Sequence, residues 1–143
     1  DKITLAEDLM ELRLRVEPWA AQLAAQRITD EEMPELQARC EEVTRIIRSG
    51  EDHGAADKAF HAYIAQCTHN SVITEIMPVI TYSIEMYTHF RSKRLLEDTI
   101  RTHTQITEAI CARDPQKAYD AMYKHVAQNQ DGIDMAKQAV VEN

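Results

Sequence analysis

Apolar residues recur at steps of three and four along almost the whole chain, and this period constrains the fold more than any other feature. In residues 4–27, Leu5, Leu9, Leu12, Val16, Ala20 and Leu23 keep the spacing, which puts them on one face of a helix. Pro18 lies inside this stretch and is expected to bend the helix or mark a join. A second helix is expected from Asp30, with Glu31 and Glu32 in its first turn, where the dipole favours negative charge. It carries Met33, Leu36, Cys40, Val43 and Ile47 and ends at Ser49 and Gly50. Further helices are expected over residues 55–67, over 71–91 with a kink at Pro78, and over 93–113. Residues 68–71 read as a turn and a helix cap. Asp114 and Pro115 form a restart signal, Asp as cap and Pro at the first helical position, for a last helix to residue 137.

Three glycines and four prolines in 143 residues leave few turns, and β-branched residues do not alternate with polar ones, which argues against a sheet. The expectation is one all-α domain, an antiparallel bundle of about six helices with short connections. No apolar run approaches the roughly 20 residues of a membrane span, and no signal peptide is visible. A cytoplasmic protein away from the membrane is therefore expected. Cys40, Cys67 and Cys111 are far apart and odd in number, as expected of reduced thiols in a helical core. The formal net charge of −8 would be repelled by a phosphate backbone. The chain starts at Asp1, without Met, and is expected to be a piece of a longer protein.

Four polar residues fall on apolar faces. Asp57 and His61 are four apart, about 40° around a helix, and Phe60 and Ile64 flank them. His103 shares a face with Ile100, Ile106 and Ile110, and His125 with Ala118, Met122 and Asn129. His103 is eleven residues before Asp114 and His125 eleven after it. In an antiparallel hairpin both then lie about 16 Å from the turn and face each other. Buried polar groups need partners, and an Asp with three His matches the N/O ligand set of zinc, nickel, manganese or iron. Spacing leaves open whether Asp57 and His61 reach the same height. His53 and His69 are expected in exposed or capping positions at helix ends, and His89 in a surface pair with Glu85. Arg13 sits at the edge of the first stripe near Leu9, Val16 and Ala20, where it calls for an acid, either Glu17 four residues on or a ligand.

At these residues the sequence resembles the FCD domain, the ligand-binding domain of the FadR branch of the GntR superfamily of transcription regulators. Glu11, Leu12 and Arg13, with the run from Glu17 and Pro18 to Arg27, resemble that family's first helix. Asp57, Phe60 and His61 match its D-x-x-F-H motif, and Asn70 falls where the family usually has Asn. His103 to Ile110, and Asp114 and Pro115 through Met122 to His125, resemble its last two helices. The resemblance covers about residues 8–133 of a sensing domain that fills 1–143. It implies a metal and ligand pocket in the centre of the bundle, with Asp57, His61, His103 and His125 as ligands and Arg13 as a carboxylate contact. It also implies one divalent ion, zinc first among the candidates, and a small organic acid effector. A homodimer follows too, with DNA bound only through an N-terminal winged helix-turn-helix domain that is not in this chain. All four ligands are present, so sensing of a fatty acyl group is not the expectation.

Other functions are weaker. A metal-dependent enzyme acting on a small carboxylate could use such a site, but no HExxH motif and no inward Glu base is visible. A ferritin-like centre needs Glu three residues before a His. The residues there are Gly50, Lys58, Gln66, Met86, Ile100 and Met122. A purely structural bundle with packed histidines remains the bland alternative.

Overall fold

The computed structural model describes residues 1–88 and 91–142, and within them the chain is helical with no strand. The helices are α1 (Lys2–Arg27), α2 (Met33–Ser49), α3 (Gly54–Cys67), α4 (Ser71–Ile80), α5 (Tyr82–Tyr87), α6 (Lys93–Cys111) and α7 (Pro115–Glu142). A single 3₁₀ turn, Asp30–Glu32, leads into α2. The pairing expected of His89 lies outside the described residues. Among the described residues no helix is long and apolar enough to cross a membrane.

Local chemistry sets the boundaries. The Asp1 and Asn70 carboxylate and amide oxygens accept from backbone N–H groups at the starts of α1 and α4, satisfying donors that the first helical turn leaves unpaired. Gly50 closes α2 at φ 80°, a left-handed conformation that glycine takes without penalty. Arg113 takes the same region at φ 55°, and its N–H and that of Asp114 donate to Ile110 and Ala109, the bond pattern of a Schellman cap. The Asp114 carboxylate then accepts from Lys117 N at 3.1 Å to open α7. The Arg113 guanidinium reaches across to the Ile28 carbonyl and, at 2.8 Å, to Asp30, pinning the α6–α7 turn beside the end of α1.

These ends make the neighbours antiparallel. Glu7 near the start of α1 pairs with Lys137 near the end of α7. Gln37 at the start of α2 reaches Cys111 at the end of α6, while Arg48 and Glu97 meet at the other ends. The most extensive contact is α1 against α7, and α3 packs on α1, α2, α4 and α5. Ala6, Ala21, Ala24 and Ala25 are fully buried on α1, and such small side chains let helix backbones approach closely. The three cysteines are free thiols, two buried and one half-buried.

Three expectations are corrected. First, of the bend or join expected at Pro18, the join is excluded: α1 runs unbroken from Lys2 to Arg27, since a proline removes one donor without ending a helix whose face is held by packing. Second, the fourth helix is two, broken at Thr81 rather than at Pro78. There the Thr81 hydroxyl donates to the Met77 carbonyl at 2.7 Å, a back-bond that competes with the helical ladder. Third, the stripe expected on α1 is buried only in part: Leu9, Ala20 and Leu23 are buried, together with Ala6, Met10, Arg13, Glu17, Ala21 and Ala24. Leu5 and Leu12 are 45% and 50% exposed. Apolar spacing marked one edge of the buried face because its centre is charged.

Leu36 on α2 is fully buried in the main cluster and remote from the charged centre. Leu36→Ala is expected to destabilise the fold by about 2–5 kcal/mol, measured as a fall in urea midpoint with unchanged slope.

Candidate metal centre

Asp57 and His61 project from one face of α3, His103 from α6 and His125 from α7, and all four are buried. One ligand atom from each lies within 4.8 Å of the others. The hairpin therefore levels His103 with His125, as the spacing predicts, and brings α3 to the same height, which spacing could not tell.

His103 Nε2 and His125 Nε2 lie at hydrogen-bond distance, 3.2 Å, while the contacts of Asp57 Oδ1 are close but unbonded. Asp57 Oδ1 lies 3.2 Å from His61 Nε2 and 3.3 Å from His103 Nε2. Yet Asp57 Oδ1 and His61 Nε2 are both buried without a hydrogen-bond partner, because the atoms converge on a common point instead of aligning on one another. Buried polar atoms are nearly always paired, so this arrangement fits a cation between them. The donor set, one carboxylate oxygen and three imidazole nitrogens, is one that zinc and its neighbours accept. The structure thus shows a site whose residues fit a divalent ion.

Outer contacts fix which nitrogen faces inward. The Glu17 carboxylate takes His61 Nδ1 through Oε1 and Arg13 Nε through Oε2, the latter at 2.5 Å. Thr102 Oγ1 has donors' work already, giving its hydrogen to the Asp98 carbonyl at 2.8 Å. It therefore accepts from His125 Nδ1 at 2.8 Å. With Nδ1 carrying a proton in both rings, Nε2 is the nitrogen turned to the centre. It offers a lone pair on neutral His125 and, on His61, one that is freed when the second proton leaves. Phe60 lies against the His103 ring at 4.4 Å between centroids.

The charges are strongly coupled. Burial alone would raise the Glu17 carboxyl, but Arg13 and His61 outweigh it and hold it at about 2. Burial opposes charge on His61, yet Glu17 and Asp57 lift it to about 9. Burial would raise Asp57 as well, and His103 and His61 pull it well below the usual range. Burial lowers His103, and burial together with His103 and His61 lowers His125 further, so these two rings are neutral at pH 7 and able to donate to a metal.

The structure answers the question of Arg13 in part. It is buried and paired with Glu17, while its Nη2 has no partner. His53 holds the N-cap position of α3, as expected of a helix end, but it is buried and its side chain makes no cap bond, with Nε2 4.0 Å from Asp57 Oδ2. His69 is exposed and meets Glu32 at 2.9 Å, as expected of a helix end. Sequence reasoning missed the outer role of Thr102 and the whole of Arg91. The Arg91 guanidinium lies 3.4 Å from Asp57 Oδ2, 3.2 Å from Thr99 Oγ1 and 2.6 Å from Asn129 Oδ1. No periodicity pointed to Arg91, because it lies between helices.

An all-α domain with a buried Asp/His₃ centre between three helices is the class of protein that this geometry defines. The FCD domain family matches residues 8–128, and the chain belongs to that family. It is 32% identical to the uncharacterised HTH-type transcriptional regulator YcbG of Bacillus subtilis over 122 residues, covering 82% of this chain and 50% of that protein. It is 26% identical to the HTH-type transcriptional regulator LutR of the same organism over 133 residues, covering 87% and 60%. The fold is similar to that of Streptococcus agalactiae GntR, with a TM-score of 0.81 at 32% identity over 90% of this chain and 59% of that one. It is also similar to Escherichia coli McbR/YncC, with a TM-score of 0.78 at 16% identity over 93% and 65%. The chain spans about half the length of the curated relatives it matches. The two Bacillus subtilis relatives are named as HTH-type transcriptional regulators.

Metal binding should release one proton at neutral pH, because His61, raised to about 9 in the metal-free centre, must lose its Nε2 proton to coordinate. Affinity therefore falls as the pH is lowered. Zinc affinity measured by chelator competition is expected to drop about tenfold per unit between pH 8 and pH 7. Glu17→Gln, which removes the charge that raises His61, should flatten that slope.

Proposed function

We propose that this chain is the effector-sensing and dimerisation domain of a GntR-type regulator. In this reading it holds one divalent metal ion, zinc first among the candidates and nickel, manganese or iron after it. Asp57, His61, His103 and His125 bind the ion, and a small organic acid binds at it. The observation that carries the proposal is the pair of buried, unbonded atoms Asp57 Oδ1 and His61 Nε2 beside two neutral imidazoles. When bound, the ion supplies Lewis-acid positions for an oxygen of the effector. The chain's own residues do the rest. Glu17 and Thr102 orient His61 and His125, and Asp57 supplies the negative charge. Arg13, held by Glu17 through Nε, offers its unpartnered Nη2 to a carboxylate oxygen.

DNA contact would fall to an N-terminal winged helix-turn-helix domain of the whole regulator. The net charge of −8 on this chain supports that division. A cytoplasmic location accords with a regulator of transcription. An enzyme reading is weaker, since the relatives are named as regulators and the buried Glu17 beside the centre has both oxygens engaged, by Arg13 and His61.

The homodimer would use the outward face of α1 and α4. Leu5, Leu12 and Trp19 stand exposed on α1, and Val72 and Val79 on α4, with Tyr82 beside them. Leu5, Leu9, Pro78, Val79 and Tyr82 line one continuous groove there. Exposed apolar surface of this extent on a soluble domain marks an interaction site.

Two measurements test the reading. His103→Ala and His125→Ala should each abolish zinc retention. Each should also abolish the thermal shift that small hydroxy acids, sugar acids or dicarboxylates produce by mass action in the wild type. Undiminished effector affinity in these variants would overturn the metal-anchored mode. For the dimer, Val79→Asp is expected to sediment as a monomer with unchanged zinc content, while a dimer of the same stability would exclude this face.

A further inference from the structure

A hollow lies between α2 and α6, and none of Asp57, His61, His103 and His125 lines it. Its volume is about 390 Å³, within the range of about 300–1,000 Å³ of small-ligand sites. The two helices run antiparallel, with Gln37 beside Cys111 and Arg48 beside Glu97. That register sets Cys40 across from Thr107, both buried at the floor, and half-buried Ile100 completes it.

The hydroxyls of this hollow are of two kinds. Thr44 and Thr104 each donate to the carbonyl four residues back, at 3.4 and 2.9 Å, so their polar atoms are settled within their own helices. Thr107 makes no such bond. It is 6% exposed, and its Oγ1 is buried with no partner in hydrogen-bond geometry, although the Cys40 thiol is close by. Buried polar atoms are nearly always paired, and a hydroxyl can both donate and accept.

The rim carries one sign of charge. Glu41 follows Cys40 and Glu108 follows Thr107, and both are exposed and line the hollow. Burial pushes the Cys40 thiol up, and the charges of Glu41 and Glu108 push it further, so both carboxylates act on the same floor. Among the described residues neither carboxylate is in an ion pair, and no Lys or Arg lines the hollow. The hollow between α6 and α7, about 520 Å³, is different: Lys117 and Lys124 stand there with Asp114 and Asp120, and neither sign prevails. An acid is repelled from the α2–α6 hollow, and a cation is drawn to it.

We propose that this hollow is a second binding site, for a small primary amine with an apolar body. The ammonium stands between Glu41 and Glu108, and the body lies over Cys40 and Ile100. The Thr107 hydroxyl accepts one of the three ammonium hydrogens when the adjoining Cys40 thiol turns aside. The site is independent of the metal-anchored reading, since α2 carries no ligand of that centre and the occupant has the opposite charge to an acid.

Phenethylamine, phenethyl alcohol and 3-phenylpropionate share a body and differ in charge, and they test the site. Each is titrated at low salt into the isotope-labelled chain, with and without zinc, and the backbone amide shifts of residues 37–44 are followed by NMR. The amine is expected to bind more tightly than the alcohol by on the order of tenfold, and the acid to leave these amides unmoved. The double variant Glu41→Gln, Glu108→Gln changes only exposed side chains and should remove the advantage of the amine. Thr107→Val should weaken the amine by about tenfold. Equal affinities for amine and alcohol, or an advantage that survives loss of both carboxylates, would overturn the proposal. So would shifts confined to the amides of the four metal ligands, which would place the amine on the metal. The double variant decides the matter even where Thr107→Val does not fold.

Discussion

Two carboxylates buried away from water, Glu17 and Asp57, set the terms for the rest of this structure. The desolvation penalty for each is several kcal/mol even after relaxation, roughly, and it is met only by cations brought in from other helices. Glu17 on α1 holds Arg13 of its own helix and His61 of α3. Asp57 on α3 faces His103 of α6 and Arg91 beyond α5. Each carboxylate therefore works as a joint between helices, and the charges cannot be deleted one at a time. Loss of a single partner leaves an uncompensated charge in the core, which costs more than the pair contributes.

Structural pairing alone accounts for Glu17, whose two oxygens are both engaged. It does not account for Asp57 Oδ1 and His61 Nε2, which are buried unbonded within one centre. Each unsatisfied buried group costs about 1–3 kcal/mol, and two in one place are a local liability that ordinary packing would have removed. The apolar parts of the bundle carry this load. Alanines on α1 let α7 pack closely, and Leu36, Phe60, Ile106 and Ile110 fill the space between α2, α3 and α6. A stable shell around an unsatisfied polar centre is the arrangement that a bound ligand completes.

The helices and their ends were legible in the sequence because they depend on local rules. Asp114 and Pro115 opened α7 as read, and the equal distances of His103 and His125 from that turn became a 3.2 Å approach of their Nε2 atoms. Family resemblance supplied the height of Asp57 and His61, which depends on how α3 packs and not on any spacing. The inward face of α1 was legible only in part, through Leu9, Ala20 and Leu23, for a physical reason. Periodicity counts apolar residues, and there the centre of the buried face is Arg13 and Glu17 while Leu5 and Leu12 face outward. The cap position of His53 was legible but its burial was not, since a position at a helix start says nothing of what packs over it. Arg91 was invisible because its role comes entirely from partners 8, 34 and 38 positions away.

The two faces of α1 show how it can serve two purposes. Arg13 and Glu17 point from it into the metal centre, and Leu5, Leu12 and Trp19 point from it outward. The helix is unbroken across Pro18, so the two sets of side chains ride on one rigid element. An effector carboxylate that engages Arg13 competes with Glu17 for the guanidinium, and Glu17 is also the group that orients His61. Any change in that three-way balance acts on the position of α1 relative to α3. Coupling to an outer partner then requires only that the effector bind one position of α1 more tightly than the other. The physical warrant lies in a shared unbroken helix with charged residues at one face and exposed apolar residues at the other, not in a chain of contacts running through the core.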